Sequence, residues 1–176
     1  MILGAVLAGG QSSRFGSDKA LALLGGESLL ARAVNTLSSW CEKVVVVGRS
    51  DAPADTLADW PRPGMGPLGG IAAALHAARN GGCEAVLTCG VDSVGLPQNL
   101  PALLAPAPAY LADQPVIALW PVSAIPAIEN ILNGNGRHSL RALAEAVDAR
   151  AVQSPRPPAN INTPADLAEA EKHHGL

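Results

Sequence analysis

The chain has 176 residues, of which 48% are hydrophobic and 15% charged. That balance excludes a disordered polymer, and a chain of this size hides roughly 70% of its extended surface on folding, enough for one core and a single domain. Aromatics make up only 3% and the formal net charge is -3 without any run of like charges, so single-strand stacking platforms and a general polyanion surface are excluded and no nucleic-acid partner is expected.

Along the chain, Ile2 to Leu7 is an apolar run that stops at Gly9-Gly10, the pattern of a buried parallel strand feeding a loop. A polar, glycine-rich stretch runs to Lys19, and Glu27 to Leu37 then carries Leu29, Leu30, Ala33, Val34 and Leu37 at helical spacing. Lys43 to Gly48, with four consecutive valines, predicts a second strand buried on both faces, and Ala52 to Pro67 predicts a long ordered loop. A helix over Gly66 to Asn80 follows, with Pro67 in its first turn, where a missing N–H costs nothing. Glu84 to Thr88 predicts a third strand and Cys89 to Leu96 a turn. Beyond it come a short helix near Asn99 to Leu104, a strand over Pro115 to Trp120, helices near Ser123 to Leu132 and Ser139 to Val147, and a short strand over Ala149 to Val152. Thr163-Pro164-Ala165-Asp166 opens a terminal helix with Thr163 as N-cap.

This alternation of strand and helix implies an α/β chain, a three-layer α/β/α arrangement around a mostly parallel sheet, whose ligands bind beyond the carboxyl ends of the strands. Three cysteines, Cys41, Cys83 and Cys89, have neither a disulfide framework nor paired zinc spacing, which fits a reducing cytoplasm. The opening apolar run lacks a basic region before it, and no stretch nears the roughly 20 apolar residues that cross a bilayer, so no membrane association is expected.

The chemistry concentrates in Leu7-Ala8-Gly9-Gly10-Gln11-Ser12-Ser13-Arg14-Phe15-Gly16-Ser17-Asp18-Lys19. Gly9 and Gly10 allow close backbone approach and converging N–H groups, an anion-binding nest, and Arg14 and Lys19 add two positive charges. Spacing alone also admits a glycine-rich turn with two solvated cations. It matches neither the phosphate-binding G-x-x-x-x-G-K-[ST] loop nor the dinucleotide fingerprint. A second candidate is Asp92, past the third strand, where one carboxylate can reach bound phosphates through Mg2+. Arg137, His138 and Arg141 read as exposed cations, while Cys89 has no base nearby in sequence and His173-His174 sit at a terminus, so none of these is assigned a role.

The early segment resembles the signature loop L-A-G-G-x-S-x-R-[MF]-G-x-D-K of the molybdenum cofactor guanylyltransferase family, one of a wider group of nucleotidyltransferases. Gly66-Pro67-Leu68-Gly69-Gly70-Ile71 resembles that family's G-P-L-x-G helix entrance, and Asn160-Ile161-Asn162-Thr163-Pro164 its N-x-N-T-P motif. The resemblance implies a Rossmann-like nucleotidyltransferase fold that transfers GMP from GTP to the terminal phosphate of molybdenum-molybdopterin and releases pyrophosphate. It assigns Leu7, Ala8, Gly9, Gly10, Lys19, Asp59 and Asp92 to the nucleotide, Lys19, Arg14 and Asp92 to catalysis, and Asp92 to Mg2+. Asn160 and Asn162 fall to the acceptor, and a molybdoenzyme chaperone is an implied partner.

Two departures stand out. The family usually carries P-C-D-x-P-F-L around the metal-binding aspartate, whereas Gly90-Val91 precede Asp92 here and Val94 replaces a proline. Relatives often carry an asparagine near the base where this chain has Val47-Gly48-Arg49, leaving the Gly48 backbone as a substitute. Two other readings therefore stay open: a related cofactor or sugar-phosphate nucleotidyltransferase using CTP or another nucleotide, and a non-catalytic nucleotide-binding accessory protein.

Overall fold

A computed structural model describes residues 1–10 and 18–173. The strands and helices, in chain order, begin with β1 (Ile2–Leu7), the small hairpin β2 (Leu23–Leu24) and β3 (Glu27–Ser28), α1 (Leu29–Ser38), β4 (Lys43–Val47), β5 (Asp55–Leu57) and α2 (Gly66–Asn80). They continue with β6 (Ala85–Gly90), β7 (Ser93–Val94), α3 (Leu100–Leu104), β8 (Ala109–Leu111), β9 (Gln114–Pro121), α4 (Ile125–Asn133), α5 (Leu140–Ala146), β10 (Arg150–Val152), β11 (Ala159–Asn160) and α6 (Pro164–His173).

Seven strands form one sheet in the order β10-β8-β9-β6-β1-β4-β5. β1 pairs in parallel with both β4 and β6, while β9 runs antiparallel to β6 and β8. The sheet is therefore mostly parallel, as the alternating pattern predicts. Side chains along β4 show why: Val44 and Val46 enter the core on one face, with Leu29, Leu37 and Leu104, and Val45 and Val47 enter the core on the other, with Leu68, Ile71 and Ile128. Successive strand residues point to opposite faces, so a continuous valine run is what a strand buried on both sides requires. Helices α1, α3 and α6 cover the first face and α2, α4 and α5 the second. The result is three layers.

β1 is followed by α1 on the first face and β4 by α2 on the second, so the chain divides between the two faces at the carboxyl edge of the sheet, where folds of this kind bind ligands. Two glycines allow close packing at this edge. At Gly70 an added Cβ would meet Leu7 Cδ2 at 3.1 Å and Val47 Cγ1 at 3.2 Å, so α2 lies close against β1 and β4. Gly48 has φ +90°, and an added Cβ would lie 2.6 Å from both the N and Cα of Gly9, which brings the loops after β1 and β4 into backbone contact.

Several local expectations are corrected. Helix α1 starts two residues later than its apolar spacing suggests, because Ser28 caps it by accepting from the Ala31 N–H at 3.0 Å and Glu27 belongs to a hairpin strand. The stretch from Ala52 to Pro67 contains β5, a three-residue edge strand in parallel with β4. β6 continues through Cys89 and Gly90, which pair with Val6 and Leu7, so the turn begins later than expected. The terminal helix opens as predicted: Thr163 Oγ1 accepts from the Asp166 N–H at 3.1 Å, and Asp166 Oδ2 accepts from the Thr163 and Asn162 N–H groups, each at 2.9 Å. This reciprocal arrangement is a capping box. It holds the Asp166 carboxyl below the usual aspartate range, chiefly through the Asn162 N–H.

Candidate active site

The loops above the sheet edge enclose a cleft of about 1040 Å³. Gly9 and Gly10 follow β1 directly, and Gly10 takes φ +106°, the left-handed geometry that exposes consecutive N–H groups. Gly66 and Pro67, which also line the cleft, begin α2, whose N-terminal end carries a partial positive charge. Asp92 projects from the turn after β6 into the same cleft, and Asn160 borders it from β11.

Lys19 begins the first turn after the signature segment, and its Nζ lies 3.2 Å from Asp92 Oδ2, across 73 positions of sequence. Both side chains are largely covered, with 18% and 24% of their surfaces exposed. Asp92 can turn back over the end of β6 because residue 90 is glycine: an added Cβ there would stand 2.5 Å from Asp92 Oδ1. The departure from a proline-bracketed aspartate thus has a local consequence. Glycine at position 90 leaves the space that this carboxylate occupies.

Asp59 reaches the cleft from the loop before α2, where its Oδ2 accepts from the Met65 N–H at 3.1 Å. A carboxylate at a helix N-terminus is electrostatically favoured. The loop is held by Trp60, whose N–H donates to Gly69 C=O at 3.0 Å and whose ring meets that of His76 edge-on, with centroids 5.1 Å apart. His76 Nε2 in turn lies 2.7 Å from Glu129 Oε1 on α4.

Of the residues singled out from sequence, Leu7, Gly9, Gly10, Asp59, Asp92 and Asn160 line one cleft, with Lys19 bound to Asp92 beside it. Ala8 is buried behind the glycines, its N–H donating to Val47 C=O at 2.9 Å. Asn162 stands outside the lining and uses its N–H in the α6 cap. Arg14 lies outside the described residues. Cys89 is fully buried, and its thiol is pushed up to about 12, first by burial and then by the Asp92 charge, which disqualifies it as a thiolate nucleophile.

Three other lining residues escape sequence reasoning. Arg49 Nη1 contacts both carboxylate oxygens of Asp18 at 3.0 Å, and Asp18 Oδ1 also accepts from the Ala20 N–H, so Arg49 braces the turn that presents Lys19. Its signal was a cation immediately after a strand-ending glycine. Asp113 comes from the β8-β9 turn and Gln114 from the start of β9, and the antiparallel pairing of β9 beside β6 brings them here.

The donor set suits Mg2+. Among the described residues no group of three or more His, Cys, Asp or Glu forms a closed metal cage. Mg2+ does not need one, since it takes one or two carboxylates and completes its shell with phosphate oxygens and water. Asp92, at the end of β6, is a carboxylate lining the same cleft as Gly9 and Gly10.

Comparison with known proteins gives the family. The family model of the MobA-like NTP transferase domain matches residues 4–156. A molybdenum cofactor guanylyltransferase from Rhodobacter capsulatus is 38% identical over 181 residues, covering 97% of this chain and 95% of its own length. The chain belongs to the molybdenum cofactor guanylyltransferase family. A second member, from Acidiphilium cryptum, is 37% identical over 181 residues and covers 94% and 92% of the two chains. Molybdopterin-guanine dinucleotide biosynthesis protein A from Archaeoglobus fulgidus has the same fold, with a TM-score of 0.76, 24% identity and 98% of each chain covered. As a member of this guanylyltransferase family, the chain is a nucleotidyltransferase.

Proposed function

We propose that this cleft binds GTP and transfers its GMP moiety to the terminal phosphate of molybdenum-molybdopterin, releasing pyrophosphate. The observation that carries the reading is the Lys19–Asp92 pair at the rim of the glycine-lined cleft, which brings a cation for phosphate and a carboxylate for metal to one point.

The Gly9 and Gly10 amides and Lys19 bind the triphosphate. An acceptor phosphate oxygen forms the new bond to the α-phosphorus as the bond to the α–β bridging oxygen breaks, and that electron pair leaves with pyrophosphate. The acceptor is a phosphate dianion for the most part at neutral pH, so no base need remove a proton. Catalysis consists of aligning two phosphates and neutralising the charge that moves to the leaving group. Lys19 and the loop amides serve the leaving side. Asp92 would hold Mg2+, which when bound supplies charge neutralisation and orientation at the phosphates.

Gly48 donates its N–H to Leu57 C=O at 3.1 Å, which leaves its carbonyl as the acceptor it can offer to the N–H donors of guanine. Asp59 and Asn160 line the same cleft, and in this reading Asp59 serves the nucleotide and Asn160 the acceptor. Three unpaired thiols, Cys41, Cys83 and Cys89, suit a cytoplasmic setting, and among the described residues no helix is long and apolar enough to cross a membrane. Delivery to a molybdoenzyme chaperone is the subsequent step in this reading.

Pyrophosphate release with GTP, CTP, ATP or UTP, each with acceptor and with or without Mg2+, tests the assignment. Release with GTP and Mg2+ alone is expected. Equal or faster release with CTP would overturn the choice of base, and silence with every nucleotide would overturn the activity.

A further inference from the structure

Asp92 sits in a turn without proline. Gly90, Val91, Ser93, Val94 and Gly95 flank it, so no proline restricts the backbone on either side. The bonds that fix this turn come from elsewhere. Ile161 N–H donates to Asp92 C=O at 2.9 Å, and β11 pairs antiparallel with β7, setting Ala159 opposite Val94 and Asn160 opposite Ser93. Two residues per strand make a weak ladder.

Gln114 joins β7, and the residue just before β11, to the main sheet. Its Oε1 accepts from Ser93 Oγ at 3.1 Å and its Nε2 donates to Pro158 C=O at 2.7 Å. Ser93 is 7% exposed and Pro158 is buried, while Gln114 is partly exposed, so both bonds are partly shielded from water. Gln114 is the first residue of β9, a strand integrated into the sheet through β6. Its amide is suited to the task because it offers an acceptor and a donor on one rigid plane. Leucine or methionine of equal length would offer neither, and glutamate would present oxygen to the Pro158 carbonyl.

We propose that Gln114 is a positioning residue that fixes the Asp92 turn and the Asn160 strand relative to each other. The inference rests on the assignment of Asp92 to the metal of the nucleotide complex. Gln114 acts through Ser93 and Pro158. Groups behind a metal-binding carboxylate set its orientation, and losing one typically weakens metal binding by about 10- to 100-fold.

The test uses the full chain with Mn2+ as the probe, monitored by electron paramagnetic resonance in the presence of GTP, alongside calorimetry of GTP without metal. Ser93→Ala, which removes one of the two bonds at a residue outside the cleft lining, should weaken Mn2+ binding in the GTP complex by several-fold, up to about tenfold, while metal-free GTP affinity changes less than about twofold. Gln114→Met, which removes both bonds, should give a larger loss of Mn2+ affinity, and Ser93→Ala serves alone if Gln114→Met does not fold. Wild-type Mn2+ affinity in a folded Gln114→Met or Ser93→Ala protein would overturn the positioning role. Absence of Mn2+ binding in the wild-type GTP complex would instead overturn the underlying metal assignment, and the positioning role with it.

Discussion

Lys19 and Asp92 lie 73 positions apart in sequence, yet Nζ and Oδ2 approach to 3.2 Å. The pair couples the end of the signature segment to the turn after β6. Their charges cancel in the absence of substrate, and a nucleotide complex that brings both phosphate and metal offers each of them a partner of its own.

Lys19→Ala and Asp92→Ala should each lower kcat/KM by about a hundredfold, the equivalent of ~3 kcal/mol of transition-state stabilisation. Because they contact each other, the double variant should be far less impaired than the product of the two single effects. Steady-state kinetics of the three variants checks both points. Additive losses would mean that the residues act independently.

Gly48→Ala tests the contact between the loops after β1 and β4. The φ of +90° and the 2.6 Å approach to Gly9 leave no room for a methyl group. Backbone strain of this type costs about 1–3 kcal/mol, and here the relief available is displacement of the glycine loop itself. Denaturant unfolding should show the lost stability, and calorimetry a weaker GTP complex. A variant as stable and as tight-binding as the original would contradict the close approach.

Arg49 separates bracing from bulk stability. Its contact with Asp18 is partly solvated, 20% and 45% exposed, so the pair contributes about 0–1 kcal/mol to folding. Loss of the brace frees the turn that carries Lys19. Arg49→Met should therefore raise the KM for nucleotide by about tenfold, or ~1.4 kcal/mol, with little change in unfolding midpoint. An unchanged KM would remove Arg49 from the site.

The α6 cap predicts a pH dependence. Hydrogen bonds from Asn162 and Thr163 lower the Asp166 pKa, so the folded state binds its proton less readily than the unfolded chain. The stabilisation is fully present above the ordinary carboxyl pKa of about 3.9 and is lost as pH falls through the lower folded value. Asp166→Asn should thus melt below wild type at neutral pH, and the gap should close in the acid range below about pH 4. A gap that stays constant with pH would show that charge is irrelevant to the cap.

Much of this was legible because it is local. The β1 run, the β4 valines, the Gly66-Pro67 helix start and the Thr163 cap are each written within a few adjacent residues. What escaped was short or distant. β5, β7, β8 and β11 have two or three residues each, too few for a period of two to register, and each depends on a partner strand already in place. Gln114 and Asp113 look like ordinary turn residues until β9 turns antiparallel beside β6 and carries them to the cleft. Arg49 gains its role only from Asp18, 31 positions earlier in the chain.

The most direct measurement follows the α-phosphate. With GTP labelled at that position, Mg2+ and molybdenum-molybdopterin, the label should move into a guanine dinucleotide form of the acceptor with one pyrophosphate released per transfer. Label recovered as free GMP, or retained in GTP while CTP label is transferred, would contradict guanylyl transfer by this cleft.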